Sequence, residues 1–468
     1  MSHPNPPDVE GLQASPGANE LLESDKRLLE LGYKPEFRRE MSLFGVLGIS
    51  FCAIGILTGM SSAFQTGLFS GGPLGWIYSI AMTLTGTSGN LSTALYLASL
   101  AEVGQGRILT RVEIAAIAWG VNIASGIINT IGTKAIGRMS NFNIWWTLAG
   151  TFVLVVTLLV KSPAKNSASF VFTDFENFTG WESKGFVVLL GFLQAVYTLE
   201  GSETAGQVAE EAKRAEFLAP IAVVASIVGS WLIGLAYMLA LLFSVQSIPS
   251  IQSTSYAIPI AQLYYDAVGP KLTLMCLTFV CLAQFMAAVT AFTASSRLFY
   301  ALARDDAFPA KKAYTSLNRF QAPYVGVWTS VLVGCIISCA YIGSPIAFNA
   351  ILSSAAIAVM LGYLQPIIIR VFWPSALTVR GPFHLGRWSW AINAAGFAFT
   401  VFVCILFILP TSHPVNKDNM NYAVVSVGGL MLIVGLTWFF WGRYRFKGPV
   451  HTNVGIGDEQ SVINEKSE

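Results

Sequence analysis

Glu200 and Glu203 lie in the segment Gly191-Phe-Leu-Gln-Ala-Val-Tyr-Thr-Leu-Glu-Gly-Ser-Glu-Thr-Ala-Gly206, and they are the only acids deep inside any long apolar stretch of this chain. An acidic side chain in hydrocarbon costs roughly 2.5–3.5 kcal/mol by insertion scales, so it is rarely there by accident. Gly201, Ser202 and Gly206 share the segment and weaken a helix just where the charge sits. A broken helix with charge at mid-membrane can hold the charged end of a polar solute. Either carboxyl could pair with an ammonium group or carry a proton. The plainer alternative is an internal polar contact that locks the break, or a helix end already open to water.

The elements that must position such a site are membrane helices. The 468 residues are 54% hydrophobic and only 12% charged, against about 25% charged in a soluble domain. Mean hydropathy is +0.58. Apolar runs of about 20 residues recur, the length that crosses a bilayer as a helix. The expected spans are 43–67, 73–101, 112–133, 144–160, 186–207, 217–244, 270–296, 323–343, 346–369, 388–410 and 421–442, eleven in all. Residues 1–40 read as a cytoplasmic tail without a charged-then-apolar leader. Residues 41–443 read as the membrane domain and 444–468 as a second cytoplasmic tail.

Lys and Arg cluster on the cytoplasmic side of membrane proteins. Lys26, Arg27, Lys34, Arg38 and Arg39 therefore put the N-terminus inside. Arg443, Arg445 and Lys447, the connection with Arg370, Arg380 and Arg387, and the residues Arg297 to Arg319 all mark inside loops. Lys213, Arg214, Lys134 and Arg138 mark two more. From residue 112 onward the alternation is clean, but residue 112 must then start outside. Two spans from an inside N-terminus would return the chain to the inside, so one crossing is missing. One reading makes 73–101, with Thr83, Thr85, Thr87, Ser88, Asn90, Ser92 and Thr93, a re-entrant or channel-lining piece. The other supposes a lost helix, which would put the connection Glu102 to Arg111 outside, against the charge bias.

Other chemistries find little support. His3, His384, His413 and His451 all lie in tails or connections, so no buried His–carboxylate cluster can form a metal or hydrolytic centre. There is no Gly-x-x-x-x-Gly-Lys phosphate loop and no basic, aromatic-interleaved patch for nucleic acid. The six cysteines fall in apolar runs, including the Cys335/Cys339 pair, and read as packing residues. Neither an enzyme nor a cofactor is expected. Asn177-Phe-Thr179 is a glycosylation sequon in the 161–185 connection, which the charge count places outside.

Three stretches resemble one family. The run Lys26-Arg-Leu-Leu-Glu-Leu-Gly-Tyr-Lys-Pro-Glu-Phe-Arg-Arg-Glu-Met-Ser-Leu-Phe-Gly45 is similar to the lead-in of fungal amino acid/choline permeases of the amino acid–polyamine–organocation superfamily. Glu200-Gly-Ser-Glu-Thr-Ala-Gly-Gln-Val-Ala-Glu-Glu211 resembles that family's broken sixth helix. Ala294-Ser-Ser-Arg-Leu-Phe-Tyr-Ala-Leu-Ala-Arg-Asp-Asp-Ala-Phe-Pro309 resembles the end of its eighth. The resemblance implies an all-α, inverted-repeat transporter fold in which helices 1 and 6 unwind at the midplane. It departs after Gly71-Gly-Pro-Leu-Gly75, where the family completes a second helix and a turn. Here the chain runs into Trp76-Ile-Tyr-Ser-Ile-Ala-Met, which looks like the third helix.

The resemblance also implies the site. In helix 1, Gly59 permits the break and Thr58, Ser61 and Ser62 offer hydroxyls, although small residues also serve plain helix packing. In helix 6, Gly201, Ser202 and Glu203 align with the family's substrate positions, Glu200 lies about one turn earlier, and Tyr197 could stack on an organic cation. Arg297 and Arg304 anchor the cytoplasmic end of helix 8. The implied function is secondary transport, driven by protons, of an amino acid or a related amine such as choline or γ-aminobutyrate (GABA). The membrane implied is the plasma membrane, with the vacuolar membrane as the alternative. A shortened non-transporting isoform, or a receptor-like or regulatory membrane protein, is the rival reading.

Overall fold

The structure, a computed structural model, describes residues 43–53, 73–174, 177–197, 201, 203–207, 209, 212, 214–308, 310–374, 385–417 and 419–446. The tails expected at 1–40 and 444–468 fall almost wholly outside this set. The protein is an all-α, polytopic membrane protein. Among the described residues eight helices are long and apolar enough to cross a bilayer, and Phe44–Ala53 forms a shorter apolar helix.

The helices are α1 (Leu43–Ala53), α2 (Pro73–Gln105), α3 (Arg111–Thr130), α4 (Thr133–Lys161), α5 (Lys184–Tyr197) and α6 (Thr204–Gln207). They continue as α7 (Ala215–Ser244), α8 (Pro259–Arg304), α9 (Tyr324–Gly343), α10 (Pro345–Phe372), α11 (Ser389–Ile408) and α12 (Ala423–Thr437). Several expected limits move. The segment 134–143 is not a loop, because α4 begins at Thr133 and only Ile131 and Gly132 separate it from α3. Lys134 and Arg138 stand in its first turns, where a polar helix end escapes a reading based on apolar runs. Helix α8 extends beyond 270–296 at both ends, with its kink at Gly269 (φ 74°) just before Pro270.

Helices α2 and α8 form the centre of the bundle, running antiparallel with their backbones close together. Small residues on both sides permit this. A Cβ at Gly86 would lie 2.3 Å from the Phe292 ring, and one at Gly89 would lie 2.8 Å from the Ala288 Cβ. Hydrogen-bonded polar side chains line the same region and reach α3 and α9 as well. Thr83 and Ser295 hydroxyls are 2.6 Å apart, and Ser295 and Ser330 are 2.9 Å apart. The Asn90 Nδ2 donates to Asn122 Oδ1 (2.8 Å), Ser125 donates to Asn90 Oδ1 (2.9 Å), and Thr293 donates to Asn129 Oδ1 (2.6 Å). Such pairs satisfy polar groups that hydrocarbon would otherwise leave bare.

That packing corrects the re-entrant reading of 73–101. Helix α2 is continuous over 33 residues, about 50 Å at about 1.5 Å per residue, which is ample for a core about 30 Å thick. Its threonines face the protein interior rather than water, and Thr83, Thr87 and Thr93 also donate to carbonyls one turn back. Because α2 opposes α8, its first turn lies at the end of the bundle that holds Arg304, and its last at the end that holds Ser255, which donates to Glu102. Helix α1 starts at the same end as α2, since Val46 and Ile49 pack with Ile136 of α4 and Ala222 of α7.

The parity mismatch therefore lies within 43–72. Of this stretch Leu43–Ala53 is helical, and residues 54–72 lie outside the described residues. Loop 106–110 stands at the end away from the basic loops, as the lost-helix reading requires. Its Arg107 is paired with Glu113 at 2.6 Å.

Candidate functional site

The break in the sixth family helix is real. Helix α5 is described as far as Tyr197, and α6 starts at Thr204. Between them Gly201 takes φ 122°, a conformation open in practice to glycine. Its carbonyl accepts from the Thr204 amide (3.0 Å) and the Thr204 hydroxyl (2.6 Å), and the Gly206 amide donates to the Glu203 carbonyl (2.9 Å). The Gly201 and Glu203 carbonyls are thus recaptured locally, as buried peptide groups must be.

Glu203 projects from this turn into the core and is fully buried. Its Oε2 accepts from its own turn, the Gly201 amide at 3.1 Å. Its Oε1 accepts from the Tyr78 hydroxyl of α2 at 3.0 Å, and Tyr363 of α10 packs beside Tyr78. The two tyrosine rings lie 6.3 Å apart at 56°. A Cβ at Gly362 would meet the Tyr78 ring at 2.7 Å, so α2 and α10 close tightly around the carboxyl. One acid thereby ties the broken helix to the central helix, with α10 packed beside it.

The end of α1 reaches the same point. A Cβ on Gly201 would lie 2.6 Å from the carbonyl carbon and oxygen of Ala53. One residue before, the Cys52 sulfur accepts from the Thr290 hydroxyl of α8 at 3.1 Å. The last described turn of α1 and the break after α5 are therefore in backbone contact.

Of the expected site residues, the structure brings Gly201 and Glu203 into this centre. Thr58, Gly59, Ser61, Ser62, Glu200 and Ser202 lie outside the described residues. Tyr197 is the last residue of α5, placed in backbone only. Arg297 is buried in α8 and donates to the Ser296 hydroxyl at 3.1 Å, while Arg304 stands over the Tyr300 ring at 5.9 Å. Sequence reasoning missed Tyr78 and Tyr363. Nothing in the sequence sets these two apart among 15 tyrosines, because the Tyr78 contact with Glu203 spans 125 positions of chain and Tyr363 joins it through a ring contact.

The amino acid permease family model matches residues 69–432, more than three quarters of the chain. The chain belongs to the amino acid permease family. This permease is similar to the "Amino-acid permease BAT1 homolog" of Oryza sativa subsp. japonica, with 30% identity over 91% of this chain and 95% of that protein. It is similar to the "GABA-specific permease" of Saccharomyces cerevisiae, 26% identical over 94% of this chain and 88% of the relative. It is also similar to the "Choline transporter" of the same yeast, 26% identical over 87% and 82%. Membership makes the protein a membrane transporter rather than an enzyme.

The rice alignment runs over 493 positions and uses 91% of this 468-residue permease. About 426 of its residues fill those positions, so about 67 residues of the relative have no counterpart here. The family match starts at residue 69, just before α2, and leaves α1 outside it.

Proposed function

We propose that this permease is a proton-coupled secondary transporter of an amino acid or a related amine, with choline and GABA among the candidates, and that it resides in the plasma membrane. The observation that carries the reading is Glu203. It is a fully buried acid at the Gly201 turn, beside the last described turn of α1, and it accepts from the Tyr78 hydroxyl and the Gly201 amide. Such a carboxyl is suited to receive an ammonium group or a transported proton, each of which would replace a phenol as its partner. The names of the two yeast relatives motivate the choice of amines.

The test is uptake by the full chain in a permease-deficient fungal host, with labelled choline, GABA, and basic and neutral amino acids, with and without a protonophore. Saturable, protonophore-sensitive uptake is expected, and Glu203→Gln should abolish it or shift its pH dependence at equal surface level. Unchanged kinetics in Glu203→Gln would remove the central claim.

A second reading has its own observation. With about 67 relative residues unmatched, the chain is a candidate for a shortened, non-transporting or regulatory form. Folded protein at the membrane without uptake of any panel member would favour it.

A further inference from the structure

Two sequons of the Asn-x-Ser/Thr type occur in helices or loops described here, Asn90-Leu-Ser92 and Asn177-Phe-Thr179. The structure separates them. Asn90 is fully buried in α2, inside the bundle, with its Nδ2 committed to Asn122. No soluble or lumenal enzyme face can reach it. Asn177 is exposed, in the connection between α4 and α5.

Its local geometry presents the acceptor in a defined way. The Asn177 Oδ1 accepts from the Thr179 amide at 3.0 Å and from the Thr179 hydroxyl at 2.8 Å. The sequon is therefore closed into a small turn with its hydroxyl against the amide it must assist. The Asn177 Nδ2 donates one of its two hydrogens to the Trp181 carbonyl at 2.5 Å. An amide has two N–H groups, so one can be replaced while the other keeps that bond.

The side of the membrane also fits. Counting back through α12, α11, α10, α9, α8, α7 and the broken helix from the basic residues after α12 places this connection outside. The next residues dock on another connection on that side: the His413 amide donates to the Thr179 carbonyl at 2.7 Å, and the Trp181 and His413 rings lie 4.9 Å apart. That docking uses Thr179, Gly180 and Trp181 and leaves Asn177 at the exposed edge.

We propose that Asn177 is an N-glycosylation site, the acceptor for an oligosaccharide delivered on a lipid pyrophosphate. In the transfer, Asn177 Nδ2 attacks the anomeric carbon of the first sugar and forms the N-glycosidic bond. The bond from that carbon to the pyrophosphate oxygen breaks, the lipid pyrophosphate leaves with the bonding pair, and the amide gives up one proton to base. No oxidant or reductant takes part.

The experiment is expression of the full chain in a eukaryotic host, isolation from the cell surface, and digestion with a peptide N-glycosidase. A gain in gel mobility is expected. It should vanish in Asn177→Gln and Thr179→Ala and persist in Thr179→Ser, while Asn177→Gln keeps the wild-type surface level. Peptide mapping after digestion in heavy-oxygen water should find labelled aspartate at 177. Surface-located protein with an unmodified Asn177 and no mobility change would overturn the proposal, since the connection would then be too close to the bilayer or on its other side. A mobility change that survives Asn177→Gln would overturn it too.

Discussion

Gly201→Ala is the sharpest probe of the broken helix. At φ 122° an alanine is strained by about 1–3 kcal/mol, the usual cost of a sparsely populated backbone conformation. The new Cβ would also lie 2.6 Å from the Ala53 carbonyl carbon and oxygen and 2.8 Å from the Ala53 Cβ, where ordinary contact begins at 3.4 Å. Two of those three atoms are backbone, so relief requires the end of α1 to move by nearly an ångström, at an overpacking cost of about 1–3 kcal/mol. The two costs together come to at least about 2 kcal/mol, or roughly thirtyfold against the native arrangement of the break. The readouts are thermal stability in detergent by size-exclusion chromatography and uptake at matched surface level. Both should fall. Gly191→Ala is the control, because nothing lies within 4 Å of its added Cβ in α5; it should be neutral or stabilising by up to about 1 kcal/mol. Wild-type stability and uptake in Gly201→Ala would show that the break does not seat on α1.

Tyr78→Phe keeps the ring contact with Tyr363 but removes a donor from a buried carboxyl, worth about 1–3 kcal/mol; uptake kinetics should worsen by roughly 5- to 150-fold, and an unchanged KM and rate would count against the Glu203 pairing. Gly89→Val would drive a branched side chain into Ala288, 2.8 Å from its Cβ, and should abolish a monodisperse folded peak, whereas Gly120→Ala, with open space around it, should not. Ser295→Ala strips the Thr83 and Ser330 hydroxyls of a shared partner at 2.6 and 2.9 Å and should cost about 1–3 kcal/mol in thermal stability; a double-mutant cycle with Thr83→Ala should be strongly non-additive. Gly180→Ala would put a Cβ 2.0 Å from the His413 carbonyl oxygen at φ 76°, and should loosen the outer connections, seen as faster proteolysis there.

The match between sequence and structure differs by element, for physical reasons. The all-α membrane architecture was legible because a bilayer demands long apolar runs and internally satisfied backbones, and both are local properties. The broken helix was legible too, since an acid beside Gly201 and Ser202 in an apolar run is a local contradiction that a plain helix would not keep. The irregular count of crossings was visible in the distribution of Lys and Arg. Its location was marked only by the family resemblance, which departs after Gly71-Gly-Pro-Leu-Gly75. Threonines on α2 read equally as pore lining or as core, and only the antiparallel packing on α8 shows that they serve the core.

What the sequence by itself determined, then, is the class of molecule, the family resemblance, and two acids worth attention among the 26 Asp and Glu residues, Glu200 and the structurally described Glu203. The tertiary structure decided what surrounds Glu203. Tyr78, with Tyr363 packed beside it, and Ala53 converge on Gly201 and Glu203 from three other helices. A hydrogen bond spanning 125 residues leaves no periodicity behind, because it depends on how whole helices pack. The close approach of Gly201 to α1 is likewise set by backbone meeting backbone, which no side-chain pattern records.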